Sequence, residues 1–507
     1  MDIKPTKFYN ENIKWMGEKD MQHLEWKPNR SSSVALYKQI EKYIKDKIIN
    51  GEWTVGTKIP SQRVLAETFG VNRSTVVTAL DELTALGLIE GKTGGGTKVI
   101  NNTWNLLVSN HPPDWNSYVK AGSYQPNLPT IQDINEAEFR PNIIRLGTGE
   151  LSPELLPYKK MQDVFQRLPN RMASLGYEEP KGDLFLRQQL TEHLKKIGIN
   201  ASPASILIVS GALQALQLIS IGLLNRGSNI LLEKPSYLYS VQVFQSAGMR
   251  LYGVPMDETG LQTSLIKKYK KQYNASLLYT IPSFHNPTGV LLTEEKRKQL
   301  MAICEQESLP IIEDDVYRDL WIDFPPPNPL KKEDKNGMVL YLGSMSKTIS
   351  PGLRIGWIVG PEAVIERLAD IKMQTDYGSS SLSQWAAAEW FSSGLYDEHM
   401  RYIREQLKIR RNATVRSLEK HFTDIATWNF PKGGFYVWVH LTPSLSIREL
   451  FEKALKEGIL LNPGNLYDRD AIQYLRISYA YAPLSDIEDA IARLAIIVKQ
   501  IAKETKQ

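Results

Sequence analysis

The sequence predicts a mainly parallel α/β protein with a small helical domain at its front, and three observations carry that prediction. From about residue 141 onward, apolar strand-like runs alternate with helical stretches, the pattern of an α/β domain with a mainly parallel sheet. Before it, residues 33–100 hold three helical patterns and a glycine-tipped hairpin. The third observation is "SMSKTISPGLRIGW", residues 344–357, which sets Lys347 between Ser344 and Arg354 in a run of small residues.

A chain of 507 residues exceeds one ordinary core, so about two to four domains are expected. The net charge of +5 is small for this length, so any surface for nucleic acid must be local. The single cysteine, Cys304, excludes an internal disulfide framework and fits a reducing cytoplasm. The histidines lack ligand spacing, and no metal site is expected. "MDIKPTKFYNENIKWMGEKD" mixes both charge signs without an apolar core, so no secretory signal is expected there. "SILIVSGALQALQLISIGLL", from Ser205, is interrupted by Ser210, Gly211, Gln214 and Gln217, which favours a buried strand and helix over a membrane span.

Residues 1–32 read as a polar extension, a tail or an arm. Leu36, Ile40, Tyr43, Ile44 and Ile48 then recur at helical spacing, ending near "NGEW". "SQRVLAETFG" makes a second helix with Ser61 as N-cap and Gly70 as its stop. "NRSTVVTALDELTALG" follows after a very short turn, and "LIEGKTGGGTKVI" reads as strand, tip and return strand. This is a winged helix-turn-helix plan, in which the second helix of the pair presents its N-terminal residues to base edges and a basic hairpin reaches the backbone. Asn72, Arg73, Ser74 and Thr75 lie at that leading edge, with Lys92, Thr97 and Lys98 flanking the tip and Arg63 opening the preceding helix. The same helices would also suit a protein-docking module.

Residues 36–99 closely resemble the DNA-binding domain of the GntR family of bacterial regulators, through intact "G-x-x-[IL]-P-S-x-R-x-L-A" and "V-x-R-x-T-V-x-x-A-L-x-x-L". The resemblance implies that Arg63 and Arg73 are the principal contacts to double-stranded DNA, supported by Ser61 and Thr75 at phosphates. Gln62 stands where such domains often carry glutamate. Residues 101–140 read as a linker with a turn or short helix around Trp115.

In the large part, a lysine such as Lys347 anchors a carbonyl cofactor, and pyridoxal 5′-phosphate is the obvious partner. Its phosphate needs helix-start amides, offered by Gly211, Ala212 and Leu213 in "VSGALQAL", with Ser344 and Arg354 beside them. Its ring nitrogen needs an acid, and "LPIIEDDVYRDL" offers Glu313, Asp314 or Asp315. Asn286 in "HNPTG" and Tyr317 suit the ring oxygen, Tyr237 the ring face, and Arg476 in "YLRISYA" an incoming carboxylate. Taken singly, Asp314 could be a helix cap, Arg476 a surface pair and Tyr237 plain core.

Together these runs, with "LGYEEPKGDLFLRQQL", resemble the fold-type I aminotransferases from about residue 143 to the end. The resemblance implies that Lys347 forms the internal aldimine and that Asp314, three before Tyr317, meets the pyridine nitrogen. It further implies that Tyr177 reaches the phosphate in a neighbouring subunit. It implies too a large domain over about 165–365, with helices on both faces of its mainly parallel sheet, and a smaller α+β domain from 141–164 with 366–507.

A GntR-type winged helix joined to such a domain is similar to the MocR/GabR regulators. That likeness implies a cytoplasmic, homodimeric, head-to-tail transcription regulator that senses an amine, an amino acid or pyridoxal 5′-phosphate. An active aminotransferase with an accessory DNA-binding domain is the alternative.

Overall fold

The computed structural model describes residues 26–92, 96–101, 115, 121–122, 127–170 and 176–504. The chain falls into two compact units, Met1–Gly122 and Ser123–Gln507.

In the first unit, α1 (Leu36–Ile49) buries Ile40, Ile44 and Ile48 at a four-residue spacing that keeps them on one face. β1 (Lys58–Ile59) follows, then α2 (Gln62–Phe69) and α3 (Arg73–Ala85). Ser61 Oγ accepts the Val64 amide at 3.3 Å and caps α2. Gly70 ends that helix at φ 66°, a left-handed conformation that glycine, having no Cβ, adopts without strain. β2 (Ile89–Lys92) and β3 (Gly96–Val99) complete an antiparallel sheet of order β1-β3-β2. The sequence pattern missed β1, because two residues are too few to display an alternation. The hairpin tip, residues 93–95, and the side chain of Lys92 lie outside the described residues.

The expected polar extension has structure at its C-terminal end. Trp26 stacks on Tyr43 with ring centroids 4.3 Å apart and meets Phe69 edge-on at 5.5 Å. Arg30 donates to the Gly70 carbonyl at 2.7 Å, and Gln39 donates to the carbonyls of Asn29 and Val34. Residues 1–25 lie outside the described residues.

The second unit opens with α4 (Pro129–Ala137), inside the stretch expected as linker. Pro129 stands in its first turn, where no amide donor is missed, and Ile134 and Ala137 are buried. Trp115, whose neighbours fall outside the described residues, is 66% exposed.

After β4 (Ile144–Arg145), an eight-stranded sheet is assembled from β5 (Ile206–Val209), β6 (Asn229–Lys234), β7 (Arg250–Asp257), β8 (Gly260–Leu261), β9 (Ala275–Thr280), β10 (Ile311–Asp314), β11 (Val339–Ser344) and β12 (Gly356–Val359). Its order is β5-β12-β11-β10-β9-β6-β7-β8. β12 runs antiparallel to both neighbours and β8 to β7, while the other pairs are parallel. β5, β10 and β11 are buried throughout; β5, Ile-Leu-Ile-Val, reads as an unbroken apolar run rather than an alternation, while β10 ends on the buried acids Glu313 and Asp314. The apolar stretch from Ser205 is β5 followed by α5 (Ala212–Gly222). No described helix is long and apolar enough to cross a membrane.

A second sheet, of order β13-β14-β17-β16, joins β13 (Ala426–Trp428), β14 (Tyr436–Leu441), β16 (Asn462–Pro463) and β17 (Tyr474–Ser478). β15 (Ile459–Leu460) pairs in parallel with β4. Cys304 is buried on the helix Glu294–Gln306, and burial pushes its thiol up to about 12, which makes it inert.

Candidate functional sites

Strand direction gathers the chemistry of the second unit. β5, β6, β9, β10 and β11 all run the same way, so their carboxyl ends open at one edge of the sheet. Gly211, Tyr237, Asn286 and Lys347 follow those ends, Asp314 is the last residue of β10, and Arg354 stands two residues before the return strand β12. All six line one cavity of about 340 Å³.

The three adjacent acids diverge, because successive side chains of a strand face opposite ways. Glu313 accepts the amides of Leu330 and Lys331 at 2.7 and 2.8 Å. Asp315 pairs with Arg318 at 3.1 Å. Only Asp314 lines the cavity. Its Oδ2 accepts the Tyr279 hydroxyl at 2.6 Å, while Oδ1 is buried without a partner. Burial raises its pKa to about 6, against the Tyr279 hydrogen bond, so the group is ionised at neutral pH.

Gly211, Ala212, Leu213, Ser344, Ser346 and Arg354 form another part of the lining, with donor types that suit an anion. Gly211 has φ 89°, and a Cβ there would come within 2.8 Å of the Arg354 guanidinium, so the two must approach closely. Arg354 donates to the Ser210 carbonyl at 2.6 Å. The Gly211 amide is already committed to the Val209 carbonyl at 2.9 Å. The amides of Ala212 and Leu213 open α5, with no carbonyl four residues back in the helix to receive them. Ser344 Oγ donates to the Ile355 carbonyl and accepts the Ser346 amide, both at 3.1 Å. The hydroxyl left buried without a partner on that wall is Ser346 Oγ, which motif reading had not singled out.

A guanidinium sits between phenols in the same unit. Arg476, on β17, lies 4.2 Å from the Tyr436 ring and 4.7 Å from that of Tyr467. It donates to Asn286 Oδ1 at 2.8 Å and to the Gly147 carbonyl at 2.7 Å. Asn286 Nδ2 in turn approaches the Tyr317 hydroxyl at 3.4 Å, and that hydroxyl bonds Tyr436 at 3.0 Å. Tyr237 donates its amide to the Asn286 carbonyl. Tyr436, Tyr467 and Tyr279 escaped the sequence reading; the one signal for Tyr436 was its place just after the paired glycines of "GGFYVW".

Lys347 Nζ donates to the Gly149 carbonyl at 2.7 Å. Tyr177 is 80% exposed beside Tyr377, and it does not line the cavity of its own chain. Among the described residues, no cluster of His, Cys, Asp or Glu could hold a metal ion.

The first unit presents a polar helix start. Asn72 is the N-cap position of α3 and makes no side-chain cap bond, leaving its amide exposed beside Arg73 and Ser74. Arg73 donates to Gln62 Oε1 at 3.0 Å, so the position that departs from the family pattern holds a candidate DNA contact. Arg63 is largely exposed, 3.3 Å from Glu67. Ser61 is spent on capping α2 and Thr75 is half-buried, while Lys98 is exposed on the central strand β3.

Comparisons with known proteins agree with both halves. The family model of aminotransferase class I and II matches residues 141–494, and that of the bacterial regulatory proteins of the gntR family matches residues 36–99. The HTH-type transcriptional regulator YisV of Bacillus subtilis is 57% identical over 477 residues, covering 94% of this chain and 99% of that protein. NorG, an HTH-type transcriptional regulator of Staphylococcus aureus, is 36% identical over 447 residues, covering 88% of this chain and 100% of its own. Among solved structures, the kynurenine aminotransferase of Pyrococcus horikoshii in complex with PMP superposes with a TM-score of 0.70 at 30% identity, over 74% of this chain and 95% of that one. The α-aminoadipate aminotransferase LysN of Thermus thermophilus gives 0.71 at 29% identity, over 77% and 100%. With a gntR-type winged helix at one end and a class I and II aminotransferase domain filling most of the rest, the chain belongs to the MocR/GabR-type DNA-binding transcriptional regulators.

Proposed function

We propose that this regulator holds pyridoxal 5′-phosphate on Lys347 and changes its affinity for an operator when a small amine, an amino acid or the cofactor itself occupies the pocket. The observation that carries the proposal is a buried, unpartnered Asp314 oxygen in the same cavity as Lys347 and the Gly211–Arg354 cradle. These residues fit the cofactor. Asp314 would hold a proton at the pyridine nitrogen, Asn286 and Tyr317 the ring oxygen, and Tyr237 the ring face. Arg354, Ser346 and the α5 amides would hold the phosphate, with Ser344, whose proton goes to the Ile355 carbonyl, shaping the turn beneath it and Tyr177 of the partner subunit joining in a head-to-tail dimer in the cytoplasm. When bound, the cofactor supplies an electrophilic carbon for amines and an electron sink.

The chain's own groups do the rest. Arg476 binds and orients an incoming carboxylate, because its guanidinium is fixed in advance by Asn286 and Gly147. The Gly149 carbonyl receives the Lys347 ammonium whenever the lysine is free, which gives that side chain a second resting place. An effector shifts DNA affinity only in so far as it prefers one conformation of the chain. Asn72, Arg73, Ser74, Arg63 and Lys98 are the proposed contacts to the operator.

The test is the visible absorption spectrum of the reconstituted full-length protein, titrated with amines and amino acids with and without a keto acid. A spectral change that stops after at most one turnover is the expected result. Sustained keto-acid formation would make the chain a working aminotransferase and overturn the sensor reading.

A further inference from the structure

The proposed function gives a task to every charged side chain lining the cavity except two. Asp314, Arg354, Lys347 and Arg476 are engaged; Glu138 and Glu150 are not. Glu138 follows α4, and its Oε1 accepts the Thr148 hydroxyl at 2.8 Å, which fixes the carboxylate in the cavity lining. Both acids are half-buried, and among the described residues neither forms an ion pair. Arg145 is stacked over Tyr481 at 4.8 Å and is not part of the lining.

A second feature independently calls for a ligand. Arg476 lines the same cavity, is only 6% exposed, and keeps Nε buried without an acceptor. The segment carrying Glu150 runs directly over it: a Cβ on Gly149 would lie 3.9 Å from an Arg476 nitrogen, and consecutive Cα atoms are about 3.8 Å apart. One cavity therefore offers a buried donor for a carboxylate and two acceptors for a cation.

We propose that the effector is an amino acid with a cationic side chain, its carboxylate held by Arg476 and its distal ammonium or guanidinium by Glu138 and Glu150. The proposal rests on the amino-acid-sensing reading above. An acidic side chain would meet two carboxylates of its own sign, and a neutral one would leave them unmatched. A charged hydrogen-bonded pair at a half-buried site distinguishes the cationic ligand from its neutral isostere by roughly tenfold or more.

The test is isothermal titration calorimetry of the full-length protein loaded with pyridoxal 5′-phosphate, using L-lysine, L-ornithine, L-arginine, L-norleucine, L-glutamate and cadaverine. At least one basic amino acid should bind at least tenfold more tightly than norleucine, and that advantage should shrink toward unity in Glu138→Gln and Glu150→Gln. Tighter binding of norleucine or glutamate than of all three basic amino acids would overturn the cationic effector while leaving amino-acid sensing intact. Cadaverine binding as tightly as lysine would overturn the role given to Arg476. Heat from no member of the panel, with the cofactor band present, would overturn the effector proposal together with amino-acid sensing.

Discussion

Arg73 and Arg476 stand at the candidate sites of the two units, and their surroundings differ in nearly every respect. Arg73 is exposed on the first turn of α3 and is steadied by one side-chain amide, that of Gln62. Arg476 is buried between two phenols, with Asn286 and a backbone carbonyl fixing its plane. The difference fits what each is proposed to recognise. A DNA duplex presents many charges at once, so an exposed, adjustable contact contributes incrementally and is screened by salt. A small ligand presents one carboxylate, so its partner must be desolvated and preorganised before the ligand arrives. Changes in the first unit should therefore give graded losses, and changes in the pocket should give large ones.

The largest effect expected to sharpen this contrast is at Asp314. Asp314→Asn should lose the cofactor's visible absorption band in protein reconstituted at neutral pH. Without cofactor the sign reverses. Burial raises this carboxyl from 3.8 to about 6, so the folded protein carries a penalty on the order of 3 kcal/mol above pH 6 that fades as pH falls toward 4. Urea unfolding of the cofactor-free proteins should show Asp314→Asn the more stable at pH 8, with the gap closing on acidification. A gap independent of pH would break the assignment of a buried charge.

Arg73→Ala comes next, with an expected loss of about 1–3 kcal/mol in binding to a duplex selected from a random library, and a shallower salt dependence. Fluorescence anisotropy at several salt concentrations reads both. Unchanged specific binding would remove α3 from the interface.

Trp26→Ala is the smallest. It removes a stacked ring from Tyr43 and Phe69 and should cost the first unit about 1–2 kcal/mol, read as a lower thermal midpoint of its transition. No shift would mean that the N-terminal segment packs without stabilising.

How much of this was legible in the sequence follows the same divide between what lies on a repeat or motif and what folds in from elsewhere. Asp314, Asn286 and Lys347 were readable because each sits at a fixed distance from the end of an apolar strand, and the edge of a parallel sheet gathers such ends. Ser346 was hidden because the hydroxyl left free depends on the Ile355 carbonyl, which returns across the turn to engage Ser344. Likewise, the Gly211 amide is withdrawn by a bond to Val209 that no motif announces. Glu138 lies in a stretch expected as linker, and its place beside Thr148 depends on how α4 packs. Trp26 stands alone in a polar segment, without the periodicity that marks a buried face.

The decisive measurement is operator affinity with and without a saturating effector from the calorimetric panel, made by anisotropy on full-length protein and on Lys347→Ala. Control of DNA binding through the pocket predicts a shift of at least about fivefold in the parent protein, roughly 1 kcal/mol of coupling, and none in the variant. An equal shift in both proteins, or no shift in the parent at saturation, would contradict it.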